Sequence, residues 1–244
     1  MTYRLPSAAE AVALHDRLMA LPGWPTQEPP VGLAESTAES TAESAAEGAA
    51  GVAGSAELWR WVQTNHLFNC RLWAEEDLAR RTTVADAEIA ANKRAIDRFN
   101  QARNDATERV DEILLVALGL VDAASARTDA PRSTVAAGAR LNSETAGSMI
   151  DRLSILALKV HAMRAQAKRH DVDEAHREAS RGKLARLQQQ RADLAGCLDA
   201  LLADAAAGRA YFKVYRQFKM YNDPRFNPVL VAERSAGAAP VDGR

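Results

Sequence analysis

Asn69, Trp73, Glu76, Asp77 and Arg80 fall in one short stretch of the chain and are the first residues whose types could do chemistry. Amides and carboxylates recognise hydroxyl groups, whereas arginine and lysine meet phosphate oxygens. A second stretch supplies Lys93, Asp97, Asn100, Arg103 and Asn104, and a third supplies Asp151 and Arg152. These are the candidate ligand-binding residues. Their mixture of amides, acids and bases suits a small anionic ligand such as a phosphorylated sugar, a nucleotide or a nucleotide sugar. Glu108 and Asp111, spaced i, i+3, add a second possibility: with Glu76 and Asp77 they form a candidate metal set, because oxygen ligands can hold Mg2+ while leaving room for substrate phosphate. No nucleophile–base pair and no glycine-rich phosphate loop accompanies them, so catalysis stays open and no catalytic residue is assigned.

Such residues act together only if helices present them on common faces. Trp61, Asn65, Asn69, Trp73, Asp77 and Arg80 recur every three or four positions, which is one face of a helix, with Leu58, Val62 and Leu72 flanking it. In the next stretch Ile89, Ile96, Phe99, Ala106, Val110, Ile113 and Ala117 share an apolar arc. Lys93, Asp97, Asn100, Asn104, Glu108 and Asp111 border it as a polar stripe, and Arg94, Arg98, Asp105, Arg109 and Glu112 lie on the water side. The third stretch opens with Asn142 or Ser143 as N-cap and Glu144 in the first turn, then turns apolar all round, as a central helix does. Asp151, Arg152, Ser154, Lys159 and His161 on it should therefore meet the polar stripes of the first two helices, with His161 a packed core histidine rather than a base. Leu184, Leu187, Leu194, Leu198 and Leu201 make a packing seam on a fourth helix.

The expected fold is all-α: an antiparallel bundle of four long helices at 56–82, 85–120, 144–170 and 173–206, plus a short C-terminal helix at 208–220, with a disordered N-terminal insertion and no strand. An N-terminal helical segment (1–25) ends at PGWP, since proline and glycine both stop a helix. The AEST repeat that follows has no large apolar group, so 26–55 is expected to be a low-complexity linker. The bundle domain spans 56–228 and a flexible tail 229–244, while the polar stretch 122–142 is a lid or a crossover.

Lys and Arg total 31 against 32 Asp and Glu, so no global field argues for nucleic acid or an anionic membrane. No apolar run is long enough to span a bilayer, the N-terminus lacks a secretory apolar core, and the two cysteines fit neither a disulfide framework nor a zinc site. A cytoplasmic protein, with a homo-oligomer open, is the expectation. Near the end Tyr211, Phe212, Tyr215, Phe218 and Tyr221 interleave with Arg209, Lys213, Arg216 and Lys219; docking of aromatics on the bundle outweighs nucleic-acid binding as their reading.

Four blocks, NxxLWxxED at 69–77, KRAIDxxNQxRND at 93–105, NSETxGSxIDRLSILxLK at 142–159 and FKMYNDPRFNP at 218–228, resemble a bacterial family catalogued as domain of unknown function 4254. The resemblance covers most of 56–228 and implies a context in glycan assembly without implying a mechanism. Separately, the paired acids resemble those of all-α nucleoside triphosphate pyrophosphohydrolases, although WxxE and DxxR stand where that family has ExxE. Three functions follow as expectations: a binder of a phosphorylated sugar or nucleotide, a magnesium-dependent pyrophosphohydrolase-like enzyme, and a noncatalytic scaffold whose stripes are structural networks.

Overall fold

In a computed structural model of the 244-residue chain, the residues described are 4–26, 49–216 and 224–237. The chain divides into two compact units, Met1–Val214 and Tyr215–Arg244. The first unit contains α1 (Ala8–Ala20), α2 (Ala49–Leu78), α3 (Asp86–Ala117), α4 (Ala146–Ala167) and α5 (Glu174–Ala206), and two short strands, β1 (Arg140–Leu141) and β2 (Ala210–Tyr211). The fold is all-α in class, a helical bundle.

Short loops fold α2 with α3 and α4 with α5 into antiparallel hairpins. The order of contacts along the first hairpin shows it: Asn65 meets Thr107 (3.0 Å), Glu75 meets Asn92 (2.7 Å) and Glu88 meets Arg81 (3.7 Å). Helices α2 and α4 run side by side in the same direction, since Asn65 reaches Asp151 and, four residues on, Asn69 reaches Ser154. α4 lies centrally and buries Ile150, Leu153, Ala157, Leu158 and Val160. α1 is built into this core instead of standing apart as a preceding segment. Ser7 and Glu10 form a reciprocal cap at its start, with Glu10 N–H donating to Ser7 Oγ (3.2 Å) and Ser7 N–H to Glu10 Oε2 (2.7 Å). Leu14 and Leu18 on its inner face are fully buried, each contributing about 1.5–3 kcal/mol of apolar transfer. Outside, Asp199 Oδ1 accepts the Ala8 N–H (2.7 Å) and Arg191 pairs with Asp16 (2.7 Å), which sets α1 antiparallel to α5.

Several local expectations are corrected. Helix α2 begins at Ala49, so the C-terminal end of the expected linker 26–55 is helical, and 27–48 lies outside the described residues. Thr145, not Asn142 or Ser143, caps α4, its hydroxyl accepting from Ser148 N–H (3.1 Å). Asn142 instead donates its backbone N–H to Tyr211 O (2.8 Å), within the parallel pairing of β1 and β2. That pairing replaces the expected helix at 208–220: Gly208, at φ 71, turns the chain out of α5 into extended backbone. Residues 217–223 lie outside the described residues. The stretch 122–142 is a long loop that joins the end of α3 to the start of α4, stiffened by a bridge between Val121 and Ser133 and an Asp122–Arg132 ion pair (2.7 Å).

In the second unit, the expected flexible tail contains a helix, α6 (Pro228–Gly237). Asn227 Oδ1 accepts the Val229 N–H (3.1 Å) and Pro228 occupies the first turn, where its missing N–H costs nothing.

Candidate functional site

The polar face of α2 changes character along its length. Its first half is buried: Asn65 and Asn69 are 1% and 4% exposed, whereas Trp73 is 37% exposed and Asp77 and Arg80 are open to solvent. A buried network holds the inner half. Asp151 Oδ1 accepts from the side-chain amides of both Asn65 and Asn69 at 2.8 Å. Asn65 also donates to Thr107 Oγ1 (3.0 Å), and Asn69 Nδ2 lies 3.0 Å from Ser154 Oγ, so α2, α3 and α4 are tied at one level.

Behind the asparagines, His66 Nδ1 and Ser154 Oγ are 2.7 Å apart. The His66 ring stacks on His15 of α1, centroids 4.6 Å apart, and on Trp24 at 5.8 Å. Trp24 Nε1 donates to Cys70 Sγ (3.2 Å). Burial pushes the His66 imidazole down to about 3 and the Cys70 thiol up to about 12. His15, fully buried, is also driven well down, first by burial and then by the neighbouring His66 and Arg191, so both rings are neutral at pH 7. Neither ring nitrogen of His15 has a hydrogen-bond partner.

Where α2 emerges, a cleft of about 360 Å3 opens between α2, α3 and α4. Asn69, Trp73, Glu76, Asp77, Arg80, Asn100 and Arg103 line it with Leu72, Ile155 and Leu158. Arg80 pairs with Glu76 (3.3 Å). Arg103 donates through Nη2 to Asn104 Oδ1 (2.9 Å), but its Nε is buried without a partner. Asp151 stands behind the cleft, connected to it through Asn69.

Other sequence candidates lie elsewhere. Lys93 and Asp97 form an exposed ion pair (2.5 Å) on α3 and do not line the cleft. Arg152 is exposed in a second, larger groove between α4 and α5, where it pairs with Glu144 (2.5 Å). Lys159 and His161 are exposed as well, so of the polar residues on α4 only Asp151 and Ser154 join the network. The apolar residues of α4 encircle it, but part of that ring floors open grooves, which leaves an arc wet.

The four candidate metal ligands are not brought together. Glu108 and Asp111 lie on α3 at and beyond the level of Asn65, roughly 16 Å or more along the bundle from Glu76 and Asp77 at 1.5 Å per residue. Asp111 is buried and serves another purpose: its Oδ1 accepts the Gly147 N–H (2.6 Å) in the first turn of α4, an orphan donor there. Burial raises the Asp111 carboxyl to about 7, against the opposing pull of the hydrogen bonds from Thr145 and Gly147. Among the described residues no group of three or more His, Cys, Asp or Glu side chains is placed to hold a metal ion.

The residues that sequence reasoning left out are His15, His66, Thr107 and the triad Glu57–Arg109–Glu112, in which Arg109 bridges the two acids at 2.6 and 2.7 Å. Glu112, expected on the water side, is buried by that triad. The spacing of Glu57, Arg109 and Glu112 in sequence carries no trace of it, because α2 supplies one acid and α3 the other two groups.

The architecture is thus that of a helical bundle with a polar network in its core and a cleft of mixed charge at the exit of that network. The chain belongs to the family described as Protein of unknown function (DUF4254), which matches residues 59–214. The matched region contains the network and the cleft, and ends before the closing block at 218–228. No curated protein and no solved structure matches the chain.

Proposed function

We propose that the protein binds a phosphorylated sugar or nucleotide sugar in the cleft between α2, α3 and α4. The observation that carries the reading is the convergence there of two amides, two carboxylates and Arg103, whose buried Nε lacks a partner, beside the half-exposed indole of Trp73. Amides and carboxylates can bracket neighbouring hydroxyls, an indole face covers a pyranose or a base, and a buried guanidinium N–H favours an oxygen acceptor. The cleft lies at the lower end of the usual size range of small-molecule sites. A role in glycan assembly belongs to this proposal, as does a reducing cytoplasm, which suits the free Cys70 and Cys197. Among the described residues no helix is long and apolar enough to cross a membrane.

Titration calorimetry with hexose 1-phosphates and nucleoside diphosphate hexoses, with and without Mg2+, tests this. Binding should be saturable and should weaken about tenfold or more in Asn100→Ala and Arg103→Ala. If no phosphorylated sugar binds, or if both variants bind as the parent does, the proposal fails.

A further inference from the structure

A second cleft, of about 330 Å3, lies on the other side of Trp73, between α4 and the N-terminal half of α5. Trp73, Met163 and Leu187 form its apolar wall, and Lys159, Lys183 and Arg186 supply its charge. Its lining contains no carboxylate. What distinguishes these three cations is that they stand together with no acid among them. Arg177, Arg181 and Arg191 of the same helix each pair with an acid, at no more than 2.7 Å, whereas Lys159, Lys183 and Arg186 make no ion pair among the described residues. Unpaired cations clustered over low-dielectric walls concentrate a positive potential and attract an anion.

The two clefts differ in charge in a way that divides a ligand. In the first, Glu76 and Asp77 offset Arg80 and Arg103, and Arg80 is already held by Glu76, so that cleft suits a neutral polyol. The second has three positive charges and nothing to balance them. Both share Trp73, and the larger groove that holds Arg152 joins them: Ile155 lines it and the first cleft, while Lys159, one helical turn further along α4, lines it and the second. Of the acids of that groove, Glu144 is paired with Arg152 and Asp204 with Arg209, while Asp193 accepts from the neutral Gln189 and keeps its charge; none of the three lines the second cleft.

We propose that the second cleft binds the diphosphate of the same ligand whose sugar occupies the first, which makes that ligand a glycosyl diphosphate and not a sugar monophosphate. This rests on the sugar-binding reading of the first cleft and extends it across Trp73. Lys159, Lys183 and Arg186 hold the diphosphate oxygens, and the apolar wall accommodates the group esterified beyond them.

The test compares the parent chain with Lys183→Ala/Arg186→Ala in the second cleft and Asn100→Ala/Arg103→Ala in the first, using inorganic pyrophosphate, glucose 1-phosphate, uridine diphosphate glucose and farnesyl diphosphate. Lys183 and Arg186 are exposed, so their removal should leave the melting temperature in place. Pyrophosphate should bind the parent and the first-cleft variant equally, and the second-cleft variant about tenfold or more weakly. Uridine diphosphate glucose should weaken in both variants. Tighter binding of the uridine or the farnesyl ester supports the site and identifies the source of the diphosphate. Pyrophosphate binding that is absent, or indifferent to Lys183 and Arg186, overturns the inference. In that event glucose 1-phosphate binding that still depends on Asn100 and Arg103 leaves the sugar-binding reading standing, and its loss removes both.

Discussion

Asn69 of α2 and Asp151 of α4 meet across the bundle interior, the amide donating to a carboxylate oxygen at 2.8 Å, and Asn65 donates to that same oxygen from one turn earlier. One carboxylate therefore satisfies two amides that are almost completely buried. Asp151→Ala should leave both without that acceptor and cost about 1–3 kcal/mol, read as a lower urea midpoint with an unchanged slope. Asp151→Asn, which keeps an acceptor oxygen, should lose less. Equal losses in the two variants would mean that packing, not hydrogen bonding, holds this level of the bundle.

Gly147 should tolerate no side chain. A Cβ there would lie 2.6 Å from Thr107 O and 2.9 Å from Asp111 Cγ, both on the neighbouring helix α3. Gly147→Ala must push α3 and α4 apart at this contact and break the Asp111 hydrogen bond, for a loss of about 1–3 kcal/mol despite alanine's better helix propensity. Thermal melting that is unchanged or raised would contradict the close approach.

Stability should fall in acid, and the fall should deepen when Asp111 is neutralised. His15 and His66 have folded pKa values pushed below the unfolded one, so the unfolded chain binds the protons. The stability they confer is present above about 6.5 and is lost as pH falls below it, for His66 toward about 3. Asp111 works the other way. Its folded value is raised to about 7, so its contribution is present below the ordinary carboxyl range and lost as pH rises toward 7. Two groups oppose one between about pH 4 and 6.5. The urea midpoint should thus drop from pH 7.5 to 4.5, and drop further in Asp111→Asn, where the compensating carboxyl is gone. A smaller drop in that variant would reverse the sign assigned to Asp111.

The thiols should separate by reactivity. Cys70 is buried under Trp24 with its thiol pushed up to about 12, whereas Cys197 is exposed on α5. A chromogenic thiol reagent should label one cysteine of the native chain quickly and the second only after denaturation. Rapid labelling of both would show that α1 and the Trp24 turn open readily.

How far the sequence carried the structure depends on where each signal is stored. The four-residue spacing of Asn65, Asn69, Trp73 and Asp77 is a local property of α2, and it is enough to define the face that enters the core and leaves it at the cleft. Asn100 is legible for the same reason, whereas Arg103 falls within the apolar arc of α3 and is marked only by its residue type. Arg152 and Lys159 were harder, because a helix that is apolar on nearly every side gives no clue to which arc floors a groove. Thr145 displaced Asn142 as the cap of α4 because Asn142 was drawn into the pairing with β2, a contact with no local trace. The stack of His15 on His66 depends on α1 folding back over α2, across a repeat that carries no packing information.

The pairing of β1 with β2 has a further consequence, for the order in which the chain folds. Its partners, Arg140 with Ala210 and Leu141 with Tyr211, stand about 70 residues apart, and only the α4–α5 hairpin lies between them. Two residue pairs cannot offset the loop entropy of so long an unstructured segment. The strands should therefore meet only after the hairpin has formed and brought its own ends together, so that they act as a latch on a finished hairpin and not as its nucleus.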